Sequence, residues 1–477
     1  MDGSPKTGTI SKNMNEAKQH PASFRDPAGF VFQYQQKFYR QINQCFAGQY
    51  NLFKSSGLYS QLVKEQKILA HTESDINILN HPDWYITLLP EQLSCIAYPY
   101  EWCFEQWKAA ALFTLSLVKK SVAHGMILKD ATPFNIQFIG RRPVFIDSLS
   151  FEKYDAGKPW TAYRQFIECF IAPLLLAKYL SPQLLKIFQL HPAGIPLSLL
   201  EQMLPFKSRF NLNVWMHIFL PGAVAHSKKN DTASPKAFTE KKLLHIIHNL
   251  ESFVNSIHIA PAASNWNNYY EETVLSEQYV TDKKNILSQW IDELPVDTVL
   301  DMGTNTGLFA EMTADKGKFT IAVDADIACI SKLYSVCRTK KINNLLPLCL
   351  DISNPSPAIG WRNEERTDFF SRVHTDLCMA LALVHHLAIN SHIQFDKMAE
   401  LFAALSPWLI IEFVPKTDAK VLLLLQHRQD IFSSYSEENF IEAFKKKFTI
   451  INRAVPAHTG RVLFLMKRIS QQAGEIL

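Results

Sequence analysis

The chain has 477 residues, 47% hydrophobic and 20% charged, with a formal charge of +4. That length calls for about two domains, that apolar content excludes wholesale disorder, and so small a charge does not by itself argue for nucleic acid or an anionic membrane. The eight cysteines are scattered without C-x-x-C or a zinc spacing, which points to free thiols in a reducing, cytoplasmic setting.

In chain order, residues 1–28 are polar or breaker-rich and are expected to be a disordered tail with no secretory signal. Residues 29–260 are expected to form a first domain and residues 261–477 a second, with the boundary near the PAASNW stretch. Residues 104–123 read as a helix, residues 200–220 as an interrupted helical stretch, residues 226–242 as a polar loop and residues 243–259 as another helix. No apolar run is long enough and free enough of charge to span a bilayer.

The second half alternates with regularity. Helical periodicity at 278–294, 308–315, 327–341 and 395–405 separates apolar runs at 298–302, 319–324, 345–352, 376–384 and 408–414. Such runs between helices mean a parallel sheet buried on both faces. A helix at 436–448 then leads into strands at 448–455 and 461–468, which a short turn forces to be antiparallel. The basic run 445–447 reads as the solvated face of that helix.

The first of these strands opens the motif VLDMGTNTG, residues 299–307. Its glycine spacing is not the G-x-G-x-x-G of a dinucleotide site, so NAD is disfavoured. S-adenosylmethionine has no pyrophosphate, and a glycine-framed loop lets backbone approach its amino-acid end. Asp301 is placed for the ammonium group, Asp324 at the second strand end for the ribose hydroxyls, and Asp351 at the third for the adenine amino group. Asp301, Gly303, Gly307, Asp324 and Asp351, in this order, resemble the cofactor motifs of class I S-adenosylmethionine-dependent methyltransferases, with Asn305 standing where many members carry a further glycine. The resemblance implies a Rossmann-like, seven-stranded, mostly parallel sheet with an antiparallel terminal hairpin. Candidate bases near the fourth and fifth strand ends are His385, His386 and Glu412, with Lys416 and Asp418 beside them.

The first half carries HGMILKDATPFNIQFIGRRPVFIDSLSFE, residues 124–152. Asp130 and Asn135 in D-x-x-x-x-N spacing, followed by a hairpin that delivers Asp147, resemble the core of the kinase-like fold of aminoglycoside phosphotransferases and protein kinases. That resemblance implies an α+β domain rich in helix, with Asp130 orienting an acceptor hydroxyl and Asn135 and Asp147 holding magnesium against the phosphates of ATP. YPYEW, residues 98–102, would be the hinge, and Lys64 and Lys67 are candidates for the phosphate-binding lysine. No glycine-rich loop precedes residue 98. As a whole the chain resembles bacterial two-part methyltransferases related to nodulation proteins. The expected function is S-adenosylmethionine-dependent methyl transfer, with the first half selecting or presenting the acceptor. Alternatives are a bifunctional methyltransferase and small-molecule or glycan kinase, and a nucleotide-binding pseudoenzyme scaffold. The acceptor is unidentified: a small molecule or glycan is favoured, and nucleic acid stays open.

Overall fold

The computed structural model describes residues 17–220, 238–259, 277–426 and 430–469. In the first half, β1 (Lys18–Gln19), β2 (Gly29–Tyr34), β3 (Lys37–Asn43), β4 (His71–Ser74) and β5 (Trp84–Pro90) form an antiparallel sheet in the order β1-β2-β3-β5-β4. Gln35 and Gln36 join β2 to β3 with φ of 48° and 63°. This left-handed pair matches the strand twist in a two-residue hairpin. Helices Ala47–Ser55 and Leu58–Lys64 occupy the crossover between β3 and β4.

The long helix Phe104–Ala123 has no Gly or Pro inside it and buries Trp107, Leu115 and Val118. Gln106 caps its start by accepting a hydrogen bond from the Cys103 N–H at 3.0 Å. Beyond it, β6 (Met126–Leu128) pairs with β9 (Phe151–Lys153), and β7 (Ile136–Ile139) with β8 (Arg142–Phe145), both antiparallel. Among the described residues, helices then dominate to the end of helix Glu240–Ser256.

Within the stretch expected to be a tail, 1–28, β1 pairs with β2 and Ala28 is buried, so residues 18–28 belong to the fold. Residues 1–16, the expected boundary at 260/261 and most of the expected loop 226–242 lie outside the described residues. The helix expected from 243 begins earlier, at Glu240, because the Thr239 side chain accepts from the Lys242 N–H and caps it there.

In the second half, β10 (Thr298–Met302), β11 (Phe319–Asp324), β12 (Leu345–Cys349), β13 (Leu377–Ala380), β14 (Trp408–Phe413), β15 (Phe448–Ala454) and β16 (Val462–Arg468) form one sheet in the order β12-β11-β10-β13-β14-β16-β15. The first five are mutually parallel, and β16 runs antiparallel to both β14 and β15. This is an α/β, Rossmann-like sheet. The strand expected over 376–384 stops at Ala380 because Ala382 takes a φ of 50° and turns the chain out of the sheet.

One contiguous apolar core runs through both halves, from Ala28 to Met466. Polar ties cross it as well. The Gln106 amide donates to the Pro347 carbonyl at 3.2 Å, and the Tyr334 hydroxyl to the Arg141 carbonyl at 3.0 Å. Gly140, at φ +55°, lies so close to Asn343 that a Cβ would come within 2.4 Å of its backbone. Arg372 joins Glu101 and the Ile96 carbonyl, while its guanidinium lies 4.4 Å from the centre of the Tyr98 ring. All eight cysteines are free, and seven are buried.

Candidate functional site

Strand order reverses between β10 and β13, whose successors run to opposite sides of the sheet. Ligands of open α/β sheets bind in the crevice outside the strand carboxyl ends at such a switch point. A cleft of about 330 Å³ lies there, lined by Gly303, Asn305, Asp324, Asp351, Leu383 and His386 among others.

The loop after β10 turns through three left-handed residues, Gly303 (φ 73°), Asn305 (φ 53°) and Gly307 (φ 89°). Asparagine tolerates that conformation better than other side-chain-bearing residues, which is why the motif survives without its middle glycine. The Asn305 N–H donates to Asp324 Oδ2 at 2.8 Å, and the Asp326 N–H to Asp324 Oδ1 at 2.8 Å. These bonds fix the carboxylate while leaving about half of its acceptor capacity. Burial raises the Asp324 pKa, opposed by those two N–H groups. Asp351 holds Ser353 N–H (2.9 Å) and Oγ (2.6 Å) on Oδ1 alone.

Asp301 and Gly307 do not line the cleft. Asp301 is buried and accepts from the Thr304 hydroxyl at 2.6 Å, so it braces the loop rather than reaching the space where an ammonium group was expected. Burial pushes its pKa up to about 6, with Thr304 and Lys283 pulling the other way. Gly307 starts helix Leu308–Asp315, where a Cβ would fall 2.2 Å from Leu333. Its glycine serves packing.

His386 faces the cleft, with Nδ1 3.3 Å from the Asn390 amide. Burial first, then Arg461, lowers its pKa to about 4, so the ring is neutral near pH 7. His385 packs behind it at 4.2 Å between ring centres, fully buried, and neither of its nitrogens has a hydrogen-bond partner. Burial, His386 and the cations Arg461 and Lys283 hold it neutral.

Glu412, expected among the bases, is instead consumed in a buried network. It accepts from the Tyr279 hydroxyl and the Lys283 ammonium, both at 2.6 Å. Arg461 reaches Tyr279 at 3.2 Å and grips Asp418 at 2.7 and 3.0 Å. Lys416 pairs with Asp430 at the surface. The sequence reading missed Tyr279, Lys283 and Arg461. A Tyr and a Lys four apart on the buried face of helix Glu277–Glu293 were the available signal.

In the first half, Asp130, Asn135 and Asp147 do converge. The Asn135 amide lies 3.3 Å from Asp130 Oδ2, 3.5 Å from Asp147 Oδ2 and 3.2 Å from Ser150 Oγ. Gln165 donates to Asp130 Oδ1 at 2.5 Å, and Arg40, on β3, makes a 2.5 Å ion pair with Asp147. Burial raises the Asp130 pKa, Gln165 and Asn135 oppose the rise, and Asp147 adds to it. The cation at this cluster is therefore Arg40. Lys67 instead meets Glu65 at 3.3 Å, and Lys64 is exposed. Among the described residues no group of three or more His, Cys, Asp or Glu side chains is placed to hold a metal ion. Just before the expected hinge, the Gln137 side chain takes both backbone groups of Ala97, at 2.9 and 3.0 Å.

No family model matches the chain. Nodulation protein NoeA of Rhizobium meliloti (strain 1021) is 31% identical over 466 residues, 94% of this chain and 95% of NoeA. Among solved structures, the bifunctional kinase-methyltransferase WbdD aligns with 43% of this chain and 40% of its own at 15% identity and a TM-score of 0.28. The N-methyltransferase NodS of Bradyrhizobium japonicum WM9 aligns with 40% of this chain and 98% of its own at 14% identity and a TM-score of 0.31. Among the described residues no helix is long and apolar enough to cross a membrane.

Proposed function

The chain belongs to the family of nodulation protein NoeA, and from that premise and the cleft we propose that it is an S-adenosylmethionine-dependent methyltransferase whose first half selects or presents the acceptor. The observation that carries this reading is the charge of the cleft. It stands at the switch point with Asp324, Asp326 and Asp351 in its wall and, among the described residues, no Lys or Arg. A dinucleotide brings a pyrophosphate that such a wall repels, whereas a sulfonium ligand is cationic and carries hydroxyl and amino donors.

The residues fit that ligand. Asp324, prepositioned by two backbone N–H groups, accepts from the ribose hydroxyls, and Asp351, with Oδ2 making no hydrogen bond among the described residues, accepts from the adenine amino group. When bound, S-adenosylmethionine supplies an electrophilic methyl carbon. The chain's task is then to hold the acceptor in line and to take up any proton it loses. His386, neutral and at the cleft wall, is the group placed to take it. Calorimetry of the full chain with S-adenosylhomocysteine tests the reading. Asp324→Ala should cost about 1.5–3 kcal/mol of binding, the scale for hydrogen bonds to a charged group. An unliganded wild type, or a variant of unchanged affinity, would overturn it.

A second reading, in which the first half also handles Mg-ATP, draws on the Arg40 cluster. Kinases place a lysine on the third strand of such a sheet, where it serves the phosphates, and here Arg40 of β3 is the cation beside Asp147. The residue just before the expected hinge argues against it, since Gln137 already occupies the Ala97 N–H and carbonyl. Mg-ATP should raise the melting temperature if this reading holds, and Asp147→Ala should cancel the rise. No shift with the wild type would leave the first half as an acceptor-presenting scaffold.

A further inference from the structure

Residues 206–220 carry an apolar surface for which the methyltransferase reading has no use. Phe206 is 70% exposed, Phe210 80%, Leu212 73% and Trp215 46%. Single exposed apolar residues are ordinary; four large ones within ten positions are not. Nor is the segment a frayed end. Ser208, Val214, His217 and Ile218 are buried beneath it, and the Asn211 side chain accepts from the N–H groups of Asn213 and Val214, both at 3.1 Å. His217 is pinned between the Tyr163 hydroxyl at 2.6 Å and Asn249 at 2.7 Å. The fold thus holds this turn rigidly, with its aromatic side chains outward.

Its charges indicate what covers it. Lys207 and Arg209 are exposed and alternate with Phe206 and Phe210, whose rings meet edge-on at 5.6 Å, and the Arg209 guanidinium lies 4.8 Å from the centre of the Phe219 ring. From residue 178 to 220 there are four Lys or Arg and a single acid, Glu201. Cores of protein interfaces are depleted in lysine, whereas Phe, Trp and Leu interleaved with Lys and Arg are the composition of segments that lie in the headgroup region of anionic bilayers.

We infer that residues 206–215 form a docking surface for an anionic lipid membrane, on which the protein sits peripherally. The apolar side chains enter the headgroup boundary, and Lys207 and Arg209 meet lipid phosphates.

Flotation of the full chain with vesicles tests this. The wild type should rise with phosphatidylcholine vesicles containing about one third phosphatidylglycerol and stay behind with phosphatidylcholine alone. Phe206→Ala/Phe210→Ala/Trp215→Ala should lower the bound fraction by about tenfold. Lys207→Gln/Arg209→Gln should weaken binding by about fivefold per charge removed. Because these basic side chains are exposed, the second variant remains decisive if the first melts early. A wild type that fails to float with anionic vesicles, or a charge variant that floats as well as the wild type, would overturn the inference. So would a wild-type dimer in sedimentation velocity that the apolar variant abolishes, since the patch would then belong to a second copy of the chain.

Discussion

The cleft of the second half and the polar cluster of the first were both suggested by spaced Asp and Asn residues, yet they solve the problem of buried polar groups in opposite ways. In the second half, Asp324 and Asp351 are oriented by neighbouring N–H and hydroxyl groups but keep acceptor capacity toward an open cleft whose wall, among the described residues, holds no Lys or Arg. In the first half, Asp130, Asn135 and Asp147 are partnered by Gln165, Ser150 and Arg40. Buried polar atoms must be satisfied, and either a ligand or the protein can do it. A motif therefore identifies the polar atoms but not their partners.

The largest expected effect concerns the closed network beneath the open cleft. Glu412→Ala would strand Lys283 without its carboxylate in a fully buried site, and removing one partner of such a pair costs about 3–5 kcal/mol. Denaturant unfolding should show that loss. A variant of wild-type stability but lost activity would return Glu412 to the list of bases and blur the contrast between network and cleft.

Arg40→Ala probes the closed cluster of the first half. Its pair with Asp147 is largely buried, so the loss should be about 1.5–3 kcal/mol, as for hydrogen bonds to a charged group. Urea midpoints would reveal it. If Arg40→Ala is instead neutral, the cluster is held by something other than its internal cation, and it resembles the open cleft more than the contrast allows.

Asp301 provides a pH test. Its folded pKa of about 6 stands above the ordinary 3.8, so the folded state binds the proton more tightly than the unfolded chain. The stability this contributes is fully present below about pH 4 and is lost as pH rises through about 6. Asp301→Asn should therefore flatten the stability profile across that window and gain on the order of 1–2 kcal/mol at pH 8. Thermal unfolding from pH 4 to 8 would check both the slope and its sign. A variant less stable than the wild type at pH 8 would mean that the Lys283 attraction outweighs burial.

The smallest effect is expected at the cleft wall. Ala382 holds a φ of 50°, a left-handed backbone that costs a residue with a Cβ. Ala382→Gly should stabilise by about 0.5 kcal/mol, the relief of strain being partly offset by the greater freedom of glycine in the unfolded chain. A loss of S-adenosylhomocysteine affinity in the same variant would indicate that the strained turn preorganises the open site.

Much of the second half was legible in the chain alone. Helices Leu308–Asp315 and Phe395–Leu405 and strands β10 and β11 fall where periodicity put them, because period-3.6 and apolar-run signals depend only on local sequence and burial on both faces. Asp324 and Asp351 could be placed at one crevice from the sequence because strand ends in a parallel sheet face it. What tertiary structure decided was the partner of each polar group. Asp301 turned inward to Thr304, Glu412 to Lys283 on a helix more than a hundred residues earlier, and Asp147 to Arg40 on a distant strand. Those pairings have no local period. They are set by which surfaces pack together, and the low dielectric of the packed interior then makes each pairing energetically binding.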